Sequence, residues 1–450
     1  MNIFIVGGGR VGSYLAHMLS EKDYDVTVIE IDPERHEQID VSLNARIVYG
    51  DGNSALLLQS LQVGESDLFI ACTGSDETNL IAAAAAKGLG ARQVLARVEK
   101  NVFIEESFLY EGFMNVDYML SPDALAAQEI VNYIIYPGIL ASEDFARGQI
   151  QLRQVRVSAK APADNQLLRD ILPPGSGVLL GVLERNGKMS IPTGEDRIFA
   201  GDKVSLIGKR GLMHGALQKF QGVEPRMEHI VIMGGGTIGR AIAHSLEGKV
   251  ASVKLFEKDK ERAEHIATGF RKANVHVVHR DATSRHNLEQ EHVFDYDLFV
   301  ATTEDDKRNI IAGVFAREVG VNMAAVVVHH PDFVPLVVKL GIDMVVTPRD
   351  AIANSVLKIL RQQSISTSSI LREGDMEVLE IKPGANSSTI GKPLRDLNWS
   401  KAHNLLIASI IRNDTAFVPG GDDVLRSGDS IVVITKSDAI AYAQRFFTGH

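Results

Sequence analysis

The chain has 450 residues, of which 45% are hydrophobic and 23% charged, with 39 glycines and one tryptophan; this excludes extended disorder and, by length, favours two to four separate cores. A formal charge of -10 without a lysine and arginine stripe argues against a nucleic-acid partner, and a single cysteine, Cys72, excludes an internal disulfide framework. No apolar run approaches the ~20 residues of a membrane helix, so work at a membrane would need a docked partner.

Residues 3–6 open directly as a strand, without a charged or cleavable leader, so no export signal is expected. Gly7, Gly9 and Gly12 follow at the turn into a helix, with Arg10 and Val11 between them. In that context Gly7 permits the tight turn, Gly9 lets the backbone approach a diphosphate, and Gly12 lets the helix pack on its strand. Strands at 26–29, 47–48, 68–72 and 93–96 then alternate with helical stretches, which predicts an α/β, doubly wound, Rossmann-like parallel sheet of five strands.

Glu30 ends the second strand, about 20 residues past the glycine turn, where a carboxylate accepts hydrogen bonds from ribose hydroxyls and repels a 2'-phosphate, disfavouring NADP. Arg10 is either a fork for a terminal phosphate or a solvated side chain. Asp51, after the third strand, either reaches an adenine or ribose edge or only forms a turn. Thr73, Asp76, Glu77 and Asn79 close the fourth strand and cap a helix, and Arg97 at the end of the fifth suits a phosphate contact or a surface ion pair. Cys72, in an apolar run, reads as strand packing. In 123–135, Leu125, Ile130, Val131 and Ile134 fall near helical spacing, on a helix that either stays in its own domain or crosses to a neighbouring copy.

A smaller domain follows, with strands near Val155 and Val157, at 178–183 and at 204–207, around one helix at 166–171 and without a catalytic constellation. The whole pattern then repeats. Ile5-Val6-Gly7-Gly8-Gly9-Arg10-Val11-Gly12 returns as Ile232-Met233-Gly234-Gly235-Gly236-Thr237-Ile238-Gly239, an offset of about 227 residues. Glu257 answers Glu30, Asp281 answers Asp51, Thr303 answers Thr73, and Gly428-Asp429 answers Gly201-Asp202. The expected domains are 1–138, 145–222, 228–362 and 366–450, jointed near Tyr136-Pro137-Gly138, near Gly222 to Pro225, and in 362–369. Because Thr237 offers only a hydroxyl where Arg10 offers a guanidinium, the first site is expected to favour the ligand with more phosphate charge.

The same crevice serves nicotinamide-dependent dehydrogenases, but those need a substrate domain and an acid-base group, and this chain spends its second half repeating the first. The histidines between His265 and His330 show no metal-ligand spacing, so neither a metal site nor a catalytic residue is assigned. A nucleotide sensor acting on another soluble protein stays open as an alternative.

The doubled glycine turn, the strand-end acid, the Gly-Asp third turn, the Asp76-Glu77-Thr78-Asn79 segment and the paired small domains together resemble the TrkA family, tandem RCK (KTN) regulatory subunits of Trk potassium-uptake systems. The resemblance covers essentially the whole chain. It implies two RCK amino-terminal nucleotide-binding domains, each followed by a small α+β RCK carboxy-terminal domain, in a homotetrameric cytoplasmic ring. That ring would sit on the inner-membrane face through a Trk-type potassium-translocating subunit and respond to NAD(H) and to ATP or ADP. Carried over, the nucleotide residues would be Gly7, Gly9, Arg10, Val11, Gly12, Glu30, Asp51, Thr73 and Arg97, with Gly234, Gly236, Thr237, Gly239, Glu257 and Asp281 in the second copy. Where some relatives place a cation-binding Glu after the proline before the crossover helix, this chain has Asp123 and Arg349, which disfavours a cation.

Overall fold

The apolar runs of each half become strands of a parallel sheet; the computed structural model describes residues 1–22, 24–222, 227–364, 368–370, 376–384, 387–397, 405–413 and 415–449. The first larger domain runs β1 (Asn2–Val6), α1 (Arg10–Ser20), β2 (Asp25–Glu30), α2 (Pro33–Ser42), β3 (Arg46–Tyr49), α3 (Ala55–Ser60), β4 (Leu68–Ala71), α4 (Asp76–Leu89), β5 (Val94–Arg97), α5 (Asn101–Glu105), α6 (Ser107–Met114), β6 (Tyr118–Leu120) and α7 (Pro122–Ile135). Its strands pair in the order β3-β2-β1-β4-β5-β6, all parallel. Every residue of β4 is buried, as expected where helices cover both faces. The sheet therefore has six strands and not five: β6, Tyr-Met-Leu, is too short to show a period.

The first smaller domain contains β7 (Ile139–Phe145), β8 (Ile150–Arg156), β9 (Gln166–Leu167), α8 (Leu168–Ile171), β10 (Val178–Arg185), β11 (Lys188–Ser190), β12 (Arg197–Ile198), β13 (Lys203–Lys209) and α9 (Arg210–Gln221). The helix expected at 166–171 is only a two-residue strand and one helical turn. The principal helix is α9, which buries Met213, Ala216, Leu217 and Phe220 at helical spacing, a stripe that a reading confined to the strands passes over. Its main sheet is antiparallel, in the order β11-β10-β13-β8-β7.

The second larger domain repeats the first: β14 (His229–Met233), α10 (Thr237–Leu246), β15 (Ser252–Glu257), α11 (Lys260–Thr268), β16 (Val275–His279), α12 (Arg285–Gln290), β17 (Leu298–Ala301), α13 (Asp306–Val319), β18 (Met323–Val327), α14 (Val334–Lys339), β19 (Met344–Val346) and α15 (Pro348–Ser364). The order β16-β15-β14-β17-β18-β19 reproduces that of the first sheet. The last domain has β20 (Ser368–Ile370), β21 (Met376–Ile381), β22 (Leu406–Arg412), β23 (Thr415–Phe417), β24 (Ser430–Lys436) and α16 (Ile440–Thr448). The repeated Gly-Asp acquires a physical reason here. Gly201 and Gly428 turn the chain at φ +91 and +89, and the buried carboxylates that follow them each grip an arginine bidentately. Asp202 holds Arg185 at 2.8 and 2.7 Å, and Asp429 holds Arg412 at 2.8 and 2.8 Å.

The two larger domains form one compact unit, Met1–Ile135 with Met227–Val356, and the two smaller form another, Tyr136–Arg226 with Leu357–His450. Within the first unit α7 leaves its own domain. Ala126, Ala127, Ile130, Val131 and Ile134 share one buried cluster with Ile238, Ile242, Ala243 and Leu246 of α10, so the copy onto which the helix crosses is the other half of this chain. The first turn of α15 answers reciprocally on α1: the Tyr14 hydroxyl donates to Asp350 Oδ1 at 2.7 Å, and the Arg349 guanidinium lies 3.8 Å over the Tyr14 ring. Within the second unit, Phe145, Leu152, Val182 and Ile207 share a core with Met376, Val378, Val432 and Ile434. Among the described residues no helix is long and apolar enough to cross a membrane.

Candidate functional site

Strand β1 delivers the chain to Gly7, whose φ of +96 few side chains tolerate. A Cβ on Gly12 would stand 1.9 Å from the Gly7 carbonyl oxygen, so helix and turn approach each other only because Gly12 has none. A Cβ on Gly9, by contrast, would meet nothing within 4 Å: there the backbone faces open space. Gly9 caps α1 without a side-chain hydrogen bond, whereas α2 is capped by Asp32 and α4 by Ser75. The first-turn N–H groups of α1 thus remain available to an external acceptor, with the positive end of the helix behind them. The second copy repeats this at Gly234 (φ +107), Gly239 and Gly236, the uncapped start of α10, where Thr237 is the first helical residue.

Glu30 is 3% exposed and stitches the turn to β2: its Oε2 accepts the Gly8 N–H at 2.6 Å and its Oε1 the Asp32 N–H at 2.8 Å. Glu257 does the same for Gly235 and Asp259, at 3.0 and 2.9 Å. The copies then diverge. Arg262 sits 3.1 Å from both Glu257 oxygens, while its counterpart Arg35 stands 3.9 Å from Glu30. Asp51 accepts the Asn53 N–H at 2.9 Å and is otherwise exposed; Asp281 accepts Thr283 N–H and hydroxyl and is held bidentately by Arg308.

The fourth-strand segment works differently from the expected cap. Ser75 is the N-cap of α4. Asn79, fully buried, accepts both the N–H and the hydroxyl of Thr73 at 2.7 Å and donates to the carbonyls of Thr73 (3.1 Å) and Arg97 (2.9 Å). It ties the end of β4 to the end of β5 with all four of its hydrogen-bonding positions in use. Asp76 accepts the N–H groups of Glu99 and Lys100. Asn309 and Asp306 repeat both devices with Thr303, Val327, His329 and His330. Arg97 donates to the Thr73 carbonyl at 3.2 Å and pairs with Glu99, but its buried Nε has no partner among the described residues.

These elements enclose a cavity of about 1240 Å³. Of the positions singled out from the sequence, Gly7, Gly9, Arg10, Val11, Glu30, Asp51, Thr73 and Arg97 line it; Gly12 lies behind the turn, in a packing role. Gly234, Gly236, Thr237, Gly239, Glu257 and Asp281 do not line it. Arg10 is exposed and has no carboxylate partner among the described residues. Cys72 also touches the cavity, but burial pushes its thiol up to about 12, out of reach as a nucleophile. Sequence reasoning did not connect this site to Glu304, His329, Pro348 and Arg349, which reach the same cavity from the second copy; spacing along the chain carries no signal for them. Asp123 lines it as well, its carboxyl pushed up by burial against opposing effects of His329 and Arg97. Among the described residues no His, Cys, Asp and Glu group could hold a metal ion.

The geometry can be set beside known proteins. The TrkA-N domain model matches residues 3–122 and 230–348, and the TrkA-C domain model residues 152–221 and 378–448. The Trk system potassium uptake protein TrkA homolog of Archaeoglobus fulgidus is 30% identical over 449 residues, covering 99% of this chain and 100% of its own length. The Trk system potassium uptake protein TrkA of Halomonas elongata is 29% identical over 441 residues, covering 96% of this chain and 95% of its own. The GsuK channel bound to NAD superposes with a TM-score of 0.65 at 20% identity, covering 97% of this chain and 77% of that one, which shows the shared fold.

Proposed function

Because the chain belongs to the TrkA family, with its TrkA-N and TrkA-C domains in tandem, we propose that it is a regulatory subunit of a Trk-type potassium-uptake system that binds adenine nucleotide in the first larger domain. The observation that carries this reading is the cavity at the first glycine turn. An uncapped helix start, open space over Gly9, the Arg10 and Arg97 guanidiniums and the buried Glu30 converge there. Open amides at a helix N-terminus and guanidiniums are the donors a diphosphate or triphosphate requires; Arg10 has no carboxylate partner among the described residues, and Arg97 would share its guanidinium with Glu99. Glu30 places a negative charge at the end of β2, which favours NAD(H), ATP or ADP over NADP. NAD in the GsuK structure supports the ligand class.

Regulation on this reading needs only that nucleotide bind two arrangements of the domains unequally. The membrane partner is a potassium-translocating subunit, and the chain works as a homotetramer on the cytoplasmic face of the membrane, without nucleic acid and without catalysing a reaction. The test is calorimetric titration of the full chain with ATP, ADP, NAD and NADH, together with potassium uptake by cells in which Arg10→Ala and Glu30→Ala replace the native residues. Saturable binding lost in the variants, with altered uptake, is expected; a chain that binds none of the four overturns the reading.

A further inference from the structure

The second larger domain reaches into the crevice of the first. The proline that starts each crossover helix is followed by residues of opposite charge, Asp123 in the first copy and Arg349 in the second, and both line the cavity at the first glycine turn. Arg349 is mostly shielded from solvent, and its guanidinium stacks 3.8 Å over Tyr14, one helical turn beyond Arg10 on α1. Tyr14 is itself fixed by its hydrogen bond to Asp350. Among the described residues Arg349 meets a carboxylate only at that same Asp350, grazing at 3.9 Å, and its buried Nε has no hydrogen-bond partner. A guanidinium presents five N–H donors, and a buried one left unsatisfied is costly, so this group is placed for an acceptor that arrives from outside the chain.

Resting on the nucleotide reading above, we propose that Arg349 is a specificity-determining residue of the first crevice, donated by the second half of the chain, and that it selects nucleotides with a terminal phosphate beyond the α-phosphate. The start of α1 supplies amides to the inner phosphates, as its open first turn allows, while Arg10 and Arg349 face the outer end of the chain of phosphates from the two halves. The stack on Tyr14 orients the guanidinium before ligand arrives, which lowers the entropy lost on binding. Asp123, the matching position of the first copy, lines the same cavity, so Arg349 also offsets a carboxylate that would otherwise oppose phosphate there. The second half thus contributes a residue to the first site.

The experiment is competition binding of ATP and AMP to the full chain, for the parent protein, Arg349→Ala and Arg349→Lys, with melting in the absence of nucleotide as a check on the fold. Arg349→Ala should weaken ATP by about ten-fold or more, the loss expected for a charge-assisted contact, with AMP changed less than about two-fold. Arg349→Lys should recover part of the ATP affinity, since a point charge replaces a fork. Equal effects on ATP and AMP, or none on either, would overturn the role of Arg349 and leave nucleotide binding standing. A parent chain that binds neither ATP nor AMP would remove the nucleotide reading and this proposal with it.

Discussion

Arg308 Nη2 lies 3.0 Å from each carboxylate oxygen of Asp281, a contact absent at Asp51 because Thr78 stands where the second copy has Arg308. The acid that would meet a ribose or adenine edge in the second crevice is therefore already neutralised by its own domain, as Glu257 is by Arg262. We expect one nucleotide per chain at saturation, measured by equilibrium dialysis with labelled ATP. Arg308→Thr, which recreates the arrangement of the first copy, should raise the stoichiometry or uncover a second, weaker site. Two equivalent sites in the unaltered chain would show that these internal ion pairs do not block the crevice.

Gly9 and Gly12 sit three residues apart and should respond in opposite ways to alanine. At Gly9 a methyl group enters open space, and the cost is only that alanine is a poorer N-cap than glycine, about 1 kcal/mol, so Gly9→Ala should melt only modestly below the parent temperature. The same methyl group would occupy the surface a diphosphate needs, and nucleotide affinity should fall more than about ten-fold, given the distance dependence of such contacts. At Gly12 the new Cβ would be 1.9 Å from a backbone oxygen, so Gly12→Ala should destabilise by at least the ~1–3 kcal/mol of ordinary overpacking. Calorimetric melting with and without ATP separates the two. A Gly9→Ala chain that binds like the parent would place the phosphates elsewhere.

The order of strands and the glycine turns were legible because parallel strands buried on both faces read as short apolar runs, and the crowded left-handed turns at Gly7 and Gly234 select glycine. What the sequence did not disclose depends on contacts between distant segments. Asn79 looks like a capping residue beside Ser75, and only the approach of β5 shows that it bridges two strand ends. Arg349 looks like a solvated charge until Tyr14, more than three hundred residues earlier, is seen beneath it. Conversely, α9 carries a readable stripe at Met213, Ala216, Leu217 and Phe220, which the alternation of the strands beside it overshadows in the sequence.

Asp123 should leave a signature in pH dependence. Its carboxyl is partly buried, which raises its affinity for a proton; His329 and Arg97 oppose this and Glu304 adds to it. A carboxyl that binds its proton more tightly folded than unfolded makes the folded state lose stability as pH rises from the ordinary aspartate range, about pH 4, through the folded value, and the effect then levels off. Asp123→Asn should flatten the melting temperature across that window and raise it at neutral pH. Parallel curves for parent and variant would mean that the carboxyl is solvated enough to titrate normally.

The pairing of α7 with α10 offers a route by which ligand in one copy reaches the other. Ile130 is fully buried in the shared cluster with Ile238, Ile242 and Leu246, so Ile130→Ala should leave a void and cost about 2–5 kcal/mol. Its effect on communication is separable from that loss. In the parent, ATP should slow amide exchange at the start of α1, where it binds, and also along α10, because α7 begins at the cavity with Pro122 and Asp123 and ends against α10. In Ile130→Ala the protection of α1 should persist while that of α10 falls toward the unliganded rate. Exchange along α10 that still responds to ATP in the variant as in the parent would mean that coupling between the copies does not run through this helix pair, and would leave the contact of Tyr14 with Arg349 and Asp350 as the connection to test.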